Sequence, residues 1–410
     1  MITREECLER DAADSLRQLR DEFVLEESLI YLDGNSLGPV SRSTRTRVQE
    51  VIDVEWSRGL IRSWNDAEWM AAPTRLGDRL ARLIGARAGE VLVADTLTFL
   101  LAKLAMAALD QRSDRHVVLT DVANFHSDIY IVRAVATRAG RPITVKMVSR
   151  ATLESELNDD VALVMLTHVD YRTGEMLDMT GITAKVHAVG SLMLWDLAHS
   201  AGAVALNLHE ANVDFAAGCT YKYLNGGPGA PGFMYVRSSW QGTLQNPLPG
   251  WIGHARPFEF EIDYAPAPGM QAFVTSSPPI IALAALDGAL HVWDRVNMDQ
   301  IREKSLALTD LFIQLVDERT PGVFEVVTPL DHERRASQVA LRHDAGYGIV
   351  QALIERNVIG DFRDPDLCRF GFAPLYVRFV DVFDAVEHLA AVMENGEYLT
   401  ERFTKRNAVT

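Results

Sequence analysis

The sequence predicts an α/β fold: a large domain on a mostly parallel sheet, followed by a smaller α+β domain at the C-terminal end. Three observations carry this. Between residues 116 and 236, apolar runs of strand length alternate with segments of helical periodicity. Those runs are almost continuously apolar, as strands covered on both faces must be, whereas a half-exposed sheet alternates. At 410 residues the chain exceeds one small core, and the pattern changes near residue 281, which marks a second domain.

The elements follow in order. Residues 1–30 read as a charged amphipathic helix on Leu8, Leu16, Leu19 and Phe23. Ile30-Tyr31-Leu32-Asp33-Gly34-Asn35-Ser36-Leu37-Gly38-Pro39 is a short strand breaking into a glycine- and proline-punctuated loop, either a plain connection or the mouth of a pocket. Residues 42–58 are helical. Ser63-Trp64-Asn65 and Trp69 form an aromatic connector whose tryptophans suit a core as well as a ligand. Residues 73–84 form a helix with Pro73 near its first position, where the missing N–H is harmless. Val91–Thr98 turns from strand directly into a helix. Strands then fall at 116–120, 143–148, 161–169, 191–196 and 232–236, with helices at 126–139 and 180–189. Residues 240–275, rich in Gly, Pro and aromatics, are a long irregular segment of the kind that is functional or mobile. After Ser276-Ser277-Pro278-Pro279 one long helical pattern runs to about 318, marked by Leu308, Leu311, Phe312 and Leu315. Strands at 323–329, 337–342 and 376–380 and helices at 346–357 and 381–396 complete the smaller domain. The division expected is 1–50 as an N-terminal segment packing with the small domain, 51–280 as the large domain and 281–410 as the small one.

Composition narrows the function classes. A formal net charge of −16 disfavours nucleic acid and anionic membranes as partners. Cys7, Cys219 and Cys368 have no C-x-x-C spacing, so neither a zinc site nor a disulfide framework is expected, and no metal. The charged start has no signal-like apolar region, and Lys103 and Asp287 interrupt the runs closest to a membrane span. A reducing, cytoplasmic setting is the expectation.

Chemistry concentrates between Leu192 and Val236. Asp196 closes the apolar run Leu192-Met193-Leu194-Trp195. Lys222 stands in an apolar, aromatic stretch that leads into Asn225-Gly226-Gly227-Pro228-Gly229. Partial burial lowers an amine's pKa and favours its nucleophilic form. A carboxylate at a buried strand end needs a partner, either a structural cation or a pyridinium N–H. Thr96–Thr98 at a strand-to-helix turn offer free N–H groups to a phosphate, or simply a threonine N-cap. Phe125 offers a flat face. Each signal alone is weak; together they describe a pyridoxal-phosphate (PLP) site, with Lys222 carrying the aldehyde as a Schiff base and Asp196 holding the ring nitrogen protonated. Strand ends are where such folds bind ligands, and Asn124–Asp128, Thr167-His168 and His199 fall there too.

Longer runs carry a resemblance. Tyr31–Pro39, Leu97-Thr98, Phe125-His126-Ser127-Asp128, Asp196-Leu197-Ala198-His199-Ser200-Ala201-Gly202-Ala203 and Tyr221–Gly229 are similar to the kynureninase family of fold-type I, aminotransferase-like PLP enzymes. Gly250-Trp251 with Gly253-His254, Pro278-Pro279-Ile280, and Arg369-Phe370-Gly371 with Pro374-Leu375-Tyr376 extend the likeness nearly end to end. The resemblance implies a seven-stranded sheet in the large domain. It implies that Lys222 binds PLP, that Asp196 and His199 serve its ring, and that Phe125 stacks on it. Leu97, Thr98, Tyr221 and Trp251 would hold its phosphate, with His126, Ser127, Asp128, Thr167 and Ser277 as further cofactor positions. Trp251 and Ser277 would come from the second subunit of a homodimer. Arg369 would grip the substrate α-carboxylate, for which a planar bidentate fork is suited; a surface ion pair is its plainer reading. Asn35, Ser36, Trp64 and Ser276 would complete the substrate site.

The activity implied is hydrolytic Cβ–Cγ cleavage of L-kynurenine to anthranilate and L-alanine, in tryptophan degradation. Lys222 would take the α-proton, and Tyr221 is the candidate acid/base near the carbonyl. Trp64 is closer to the bacterial pattern of the family, which points to unsubstituted kynurenine over its 3-hydroxy analogue; Ser276-Ser277 departs from both patterns. Three alternatives stand beside this: a hydrolase of substituted kynurenines, another PLP lyase such as a cysteine desulfurase, and a non-catalytic binding protein on the same fold. A desulfurase needs a mobile nucleophilic cysteine, which Cys219, inside a strand, and Cys368, beside Arg369, do not supply.

Overall fold

A computed structural model describes residues 2–406. At its centre lies a seven-stranded sheet in the order Val91–Ala94, Gly232–Val236, Phe215–Cys219, Leu192–Asp196, Val161–Thr167, Val117–Asp121, Thr144–Val148. Gly232–Val236 runs antiparallel to both of its neighbours, and the other pairs are parallel. Six strands therefore share a direction, and their carboxyl ends meet along one rim. The predicted fold class is the one observed.

Burial explains why the strands read as unbroken apolar runs. In Leu192–Asp196, Met193 and Trp195 enter one core cluster while Leu192 and Leu194 enter another on the opposite face. Neither face meets water, so neither side of the period-two alternation needs a polar residue. Each large side chain so buried contributes about 1.5–3 kcal/mol relative to exposure. The polar exceptions, Thr167 and Asp196, lie at the rim and are register partners.

A second, antiparallel sheet has the order Asp361–Arg363, Leu367–Gly371, Gln338–Arg342, Glu325–Val326. The two-residue strand Ile30–Tyr31 pairs in parallel with Val358–Ile359, and Asp33 bridges to Gly371. The Asp33–Ser36 loop is thereby carried to the end of the strand that holds Arg369.

Several local expectations are corrected. Residues 1–30 are not one helix. The α-helix Arg4–Ala13 starts at a Thr3–Glu6 capping box and stops at Asp14, and a 3₁₀ turn follows at Arg17–Glu22. Leu16, Leu19 and Phe23 are buried, but Leu8 belongs to the first piece and is exposed. The pattern from 280 to 318 is two helices, Ile280–Trp293 and Met298–Arg319. Asn297 caps the second, and its N–H is bonded in return by the Gln300 side chain. The α-helix Arg42–Glu50 widens into a π-helical stretch, Val51–Gly59. The expected strand 376–380 is absent because Arg378 and Asp381 cap a helix that begins at Phe379; an apolar run of that length suits either structure. Strand 323–329 shrinks to Glu325–Val326. Asp361–Arg363 and Leu367–Gly371 are strands whose charged residues break the apolar signal. Among the described residues no helix is long and apolar enough to cross a membrane.

Candidate active site

The chain has six lysines. Lys103, Lys146, Lys185 and Lys304 are paired with Asp95, Glu156, Glu154 and Asp14, and Lys405 is exposed near the end of the described chain. Lys222 differs. It sits half-buried just beyond the strand Phe215–Cys219, with Nζ 2.7 Å from Nε2 of His199, a neutral partner. Burial pushes its pKa down, and the positive charges of Arg369 and Arg363 add to that, against the pull of Cys219 and Asp196. His199 is pushed well below its ordinary value by burial and by Lys222 itself. A lowered amine pKa beside an imidazole that holds no proton to repel it favours the nucleophilic form of Lys222.

The backbone around Lys222 is tightly specified. Its carbonyl accepts from the Asn225 N–H at 2.9 Å, in a turn that Asn225 closes at φ 61°. Gly38 donates to the Tyr221 carbonyl at 2.8 Å. A Cβ at position 38 would collide with the Lys222 carbonyl, which is why the Tyr31–Pro39 loop carries glycine there.

Asp196 ends its strand fully buried, and its Oδ1 accepts from the Ala198 N–H at 2.8 Å. Asp128 lies beside it, in the first turn of the helix His126–Arg138, and accepts from Thr167 Oγ1 at 3.2 Å. Burial raises both carboxyls, and proximity to Asp196 drives Asp128 well above the usual range. Two adjacent buried carboxylates cannot both ionise cheaply. Thr167 N–H is held by Asn124 Oδ1 at 3.0 Å, which ties two strand ends together.

Leu97 and Thr98 open the helix Leu97–Gln111. Its N-cap, Thr96, makes no side-chain cap bond, so the first-turn N–H groups lack that partner, and Thr98 beside them is exposed, an arrangement suited to an anion. The Phe125 ring is half-buried, edge-on to Tyr171 at 5.0 Å and 4.2 Å from His126. Ser127 lies in the same helix turn. Tyr221 places its ring centroid 5.8 Å from Lys222 Nζ, and burial pushes its phenol up.

Four expected residues lie elsewhere. Trp64 packs edge-on to Trp69, and Trp251 against Phe258. Ser276 and Ser277 are exposed. No contact joins any of the four to Lys222 or Asp196 within the described residues of one chain.

Arg369 is 1% exposed and faces Asp361 across the small sheet. Ser36 joins this cluster through Asp361 and Arg369, and Asn35 lies buried against Gly371. Asp361, Arg363 and Asp33 are components that sequence reasoning did not single out. A signal existed, since Asp361 and Arg363 share one face of a strand at period two. Asp33 is raised to about 7, by burial first and by the Asp361 carboxylate second. An acid whose folded pKa exceeds its unfolded value favours folding only while protonated. Its contribution is present near pH 4 and lost as pH rises to 7. Asp33→Asn in the cofactor-free protein is therefore expected to raise the melting temperature by an amount that grows from pH 4 to pH 7 and then levels. A pH-independent difference would show that Asp33 ionises freely.

Buried polar atoms without a protein hydrogen-bond partner include both side-chain heteroatoms of Asn35 and of Asn225, and Arg363 Nε. Such orphans are costly unless a ligand completes them. With the amine, the buried acid and the uncapped helix start, they fit a group bearing an aldehyde, a ring nitrogen and a phosphate.

Comparison with known proteins agrees with the geometry. Residues 301–389 match the family model described as the kynureninase C-terminal domain. Kynureninase from Burkholderia pseudomallei (strain 1106a) is 47% identical over 416 residues, covering 100% of both chains, and that from Pseudomonas fluorescens is 46% identical with the same coverage. A cysteine desulfurase from Thermococcus onnurineus NA1 superposes with a TM-score of 0.77 at 18% identity, over 93% of this chain and 97% of its own. A C-DES mutant with glycine covalently linked to the PLP cofactor superposes at 0.78 and 19%, over 90% and 98%. Identities of 18–19% show a shared fold and nothing more. Identity of 47% along the whole chain is not a property of the fold alone, and by it this chain belongs to the kynureninase family.

Proposed function

We propose that the protein is a PLP-dependent hydrolase that cleaves the Cβ–Cγ bond of L-kynurenine to give anthranilate and L-alanine. The observation that carries this is Lys222: an amine with lowered pKa and a neutral partner, on the rim where Asp196 ends its strand. When bound, the cofactor supplies an electron sink that stabilises negative charge at the substrate Cα and Cβ. The chain's own residues do the rest. Lys222 Nζ would hold the aldehyde, and its free amine is the base that would take the substrate Cα proton. Asp196 would hold the protonated ring nitrogen. The first turn at Leu97 and Thr98 binds phosphate, and Phe125, flanked by Tyr171, offers a face to the ring. Arg369 binds the substrate carboxylate. Tyr221, its phenol raised and therefore protonated, donates to the γ-carbonyl oxygen as water adds there.

The active unit in this reading is a homodimer. Ile52, Val54, Trp56, Leu60 and Ile61, and Phe258, Phe260 and Ile262, are exposed apolar side chains of the kind that mark a subunit interface. Trp64, Trp251, Ser276 and Ser277, which make no contact with Lys222 among the described residues of one chain, serve the partner's site.

The test is the PLP-loaded protein with L-kynurenine, followed by anthranilate fluorescence and alanine release. Equimolar anthranilate and alanine are expected, with a higher kcat/KM for kynurenine than for its 3-hydroxy analogue. Turnover confined to a substituted kynurenine, or sulfide release from cysteine, would replace the assignment.

A further inference from the structure

Asp361 is the most heavily engaged carboxylate of the small sheet. Register places it directly opposite Arg369. Its Oδ1 accepts from Arg369 Nε at 2.7 Å. Its Oδ2 accepts from Arg369 Nη2, from Arg363 Nη2 at 2.6 Å and from Ser36 Oγ at 2.8 Å. Both Arg369 and Asp361 are almost wholly removed from water. Burial opposes ionisation of Asp361, and the two arginines overcome it, so the carboxyl lies below its ordinary value.

A guanidinium has two edges that can take a carboxylate side-on. Asp361 occupies the Nε–Nη2 edge of Arg369. The Nη1–Nη2 edge meets the Tyr171 carbonyl and Ser36 Oγ. One Nη1 hydrogen has no protein acceptor among the described residues. This second edge lies on the side of Tyr171, whose ring packs against Phe125. The same guanidinium is close enough to Lys222 and His199 for its charge to act on both. One edge is thus locked into the small sheet, and on the other a single Nη1 hydrogen is left for a ligand.

We propose that Asp361 is a positioning residue: it clamps Arg369 by one edge so that the remaining Nη1 hydrogen is held in place for the α-carboxylate of an amino-acid substrate. The proposal rests on the functional reading above. Asp361 touches neither substrate nor cofactor. Its effect passes through Arg369, and Arg363 and Ser36 steady the shared Oδ2. An uncharged residue at 361 would free the guanidinium to turn its Nε–Nη2 edge to the incoming carboxylate or to swing away, and recognition of the carboxylate would weaken while the chemistry at Cα stayed intact.

The test uses the PLP-loaded proteins Asp361→Asn, Asp361→Glu and wild type. Steady-state rates are read with L-kynurenine. Binding of L-alanine, and of the decarboxylated amine of kynurenine, is read by the change in cofactor absorbance. Asp361→Asn is expected to raise KM for kynurenine and Kd for alanine about tenfold or more, with kcat within about threefold and the amine's Kd unchanged. Asp361→Glu, which keeps the charge, should recover part of the loss. Equal weakening of acid and amine, or a fall in kcat at constant KM, would overturn the proposal. If the Asn variant fails to fold, the Glu variant is judged by the same ratio of acid to amine binding. Wild-type protein that binds alanine in an Asp361-dependent way but releases no anthranilate would sink the substrate assignment and spare the clamp. Wild-type cleavage with an unchanged acid preference in the variants would sink the clamp alone.

Discussion

Lys222→Ala is expected to reduce anthranilate release by at least about 10⁴-fold, because in the proposed reading one substitution removes both the covalent anchor and the base at Cα. It is also expected to abolish the visible absorption band of the lysine-linked cofactor. No other lysine can substitute. Lys103, the nearest rival in burial, is held by Asp95 at 2.6 Å and by the Phe273 carbonyl at 3.2 Å, and Lys304 is salt-bridged to Asp14 at 2.7 Å. Their amines are already bonded to carboxylates. The fold should survive, since the change leaves only His199 Nε2 to seek a new partner. Near-ultraviolet circular dichroism and the melting temperature of the cofactor-free variant are therefore expected to stay close to wild type. A variant that keeps the band, or more than about a hundredth of the turnover, would show that the chemistry runs through another amine.

Much of this rim is legible in the linear sequence, for a physical reason. A parallel sheet delivers the ends of its strands to one side, so a polar residue that closes an apolar run, such as Asp196 or Thr167, is located by topology alone. Lys222 was readable because the turn after its strand needs Asn225 and glycine, and turn chemistry is local. The Arg369 cluster was not readable in the same way. Ser36 and Asp361 are 325 residues apart in sequence, and their contact depends on Ile30–Tyr31 pairing with Val358–Ile359. No periodicity announces a two-residue strand. The helix breaks at Asp14 and Asn297 were hidden for a related reason: amphipathic patterns on either side of a cap can run in phase, and only the cap hydrogen bonds reveal the stop.

Asp196→Asn is expected to separate two properties that Lys222→Ala removes together. The amine remains, so the cofactor still attaches and the visible band persists. What is lost is the negative charge opposite the ring nitrogen, and with it the electron sink's proton. Removing a preorganised charge from a water-excluded site costs about 10²–10³ in kcat, or roughly 2.7–4 kcal/mol of transition-state stabilisation. Stability should move the other way. In the cofactor-free protein Asp196 and Asp128 are adjacent buried carboxyls, both raised by burial, with Asp128 raised further by its neighbour. Raised acids favour folding when protonated and oppose it as pH rises, so deleting one of the two relieves a cost that grows with pH. Asparagine can still accept from the Ala198 N–H through Oδ1, which preserves the turn after the strand. The cofactor-free Asn variant should therefore melt at or above the wild-type temperature at pH 8, with the advantage shrinking toward pH 4. A catalytic loss of less than about tenfold would mean that the ring nitrogen is not Asp196's partner. A lower melting temperature at pH 8 would mean that the acid is stabilised by a cation, and the structure places none against it closer than Lys222, whose own pKa is lowered.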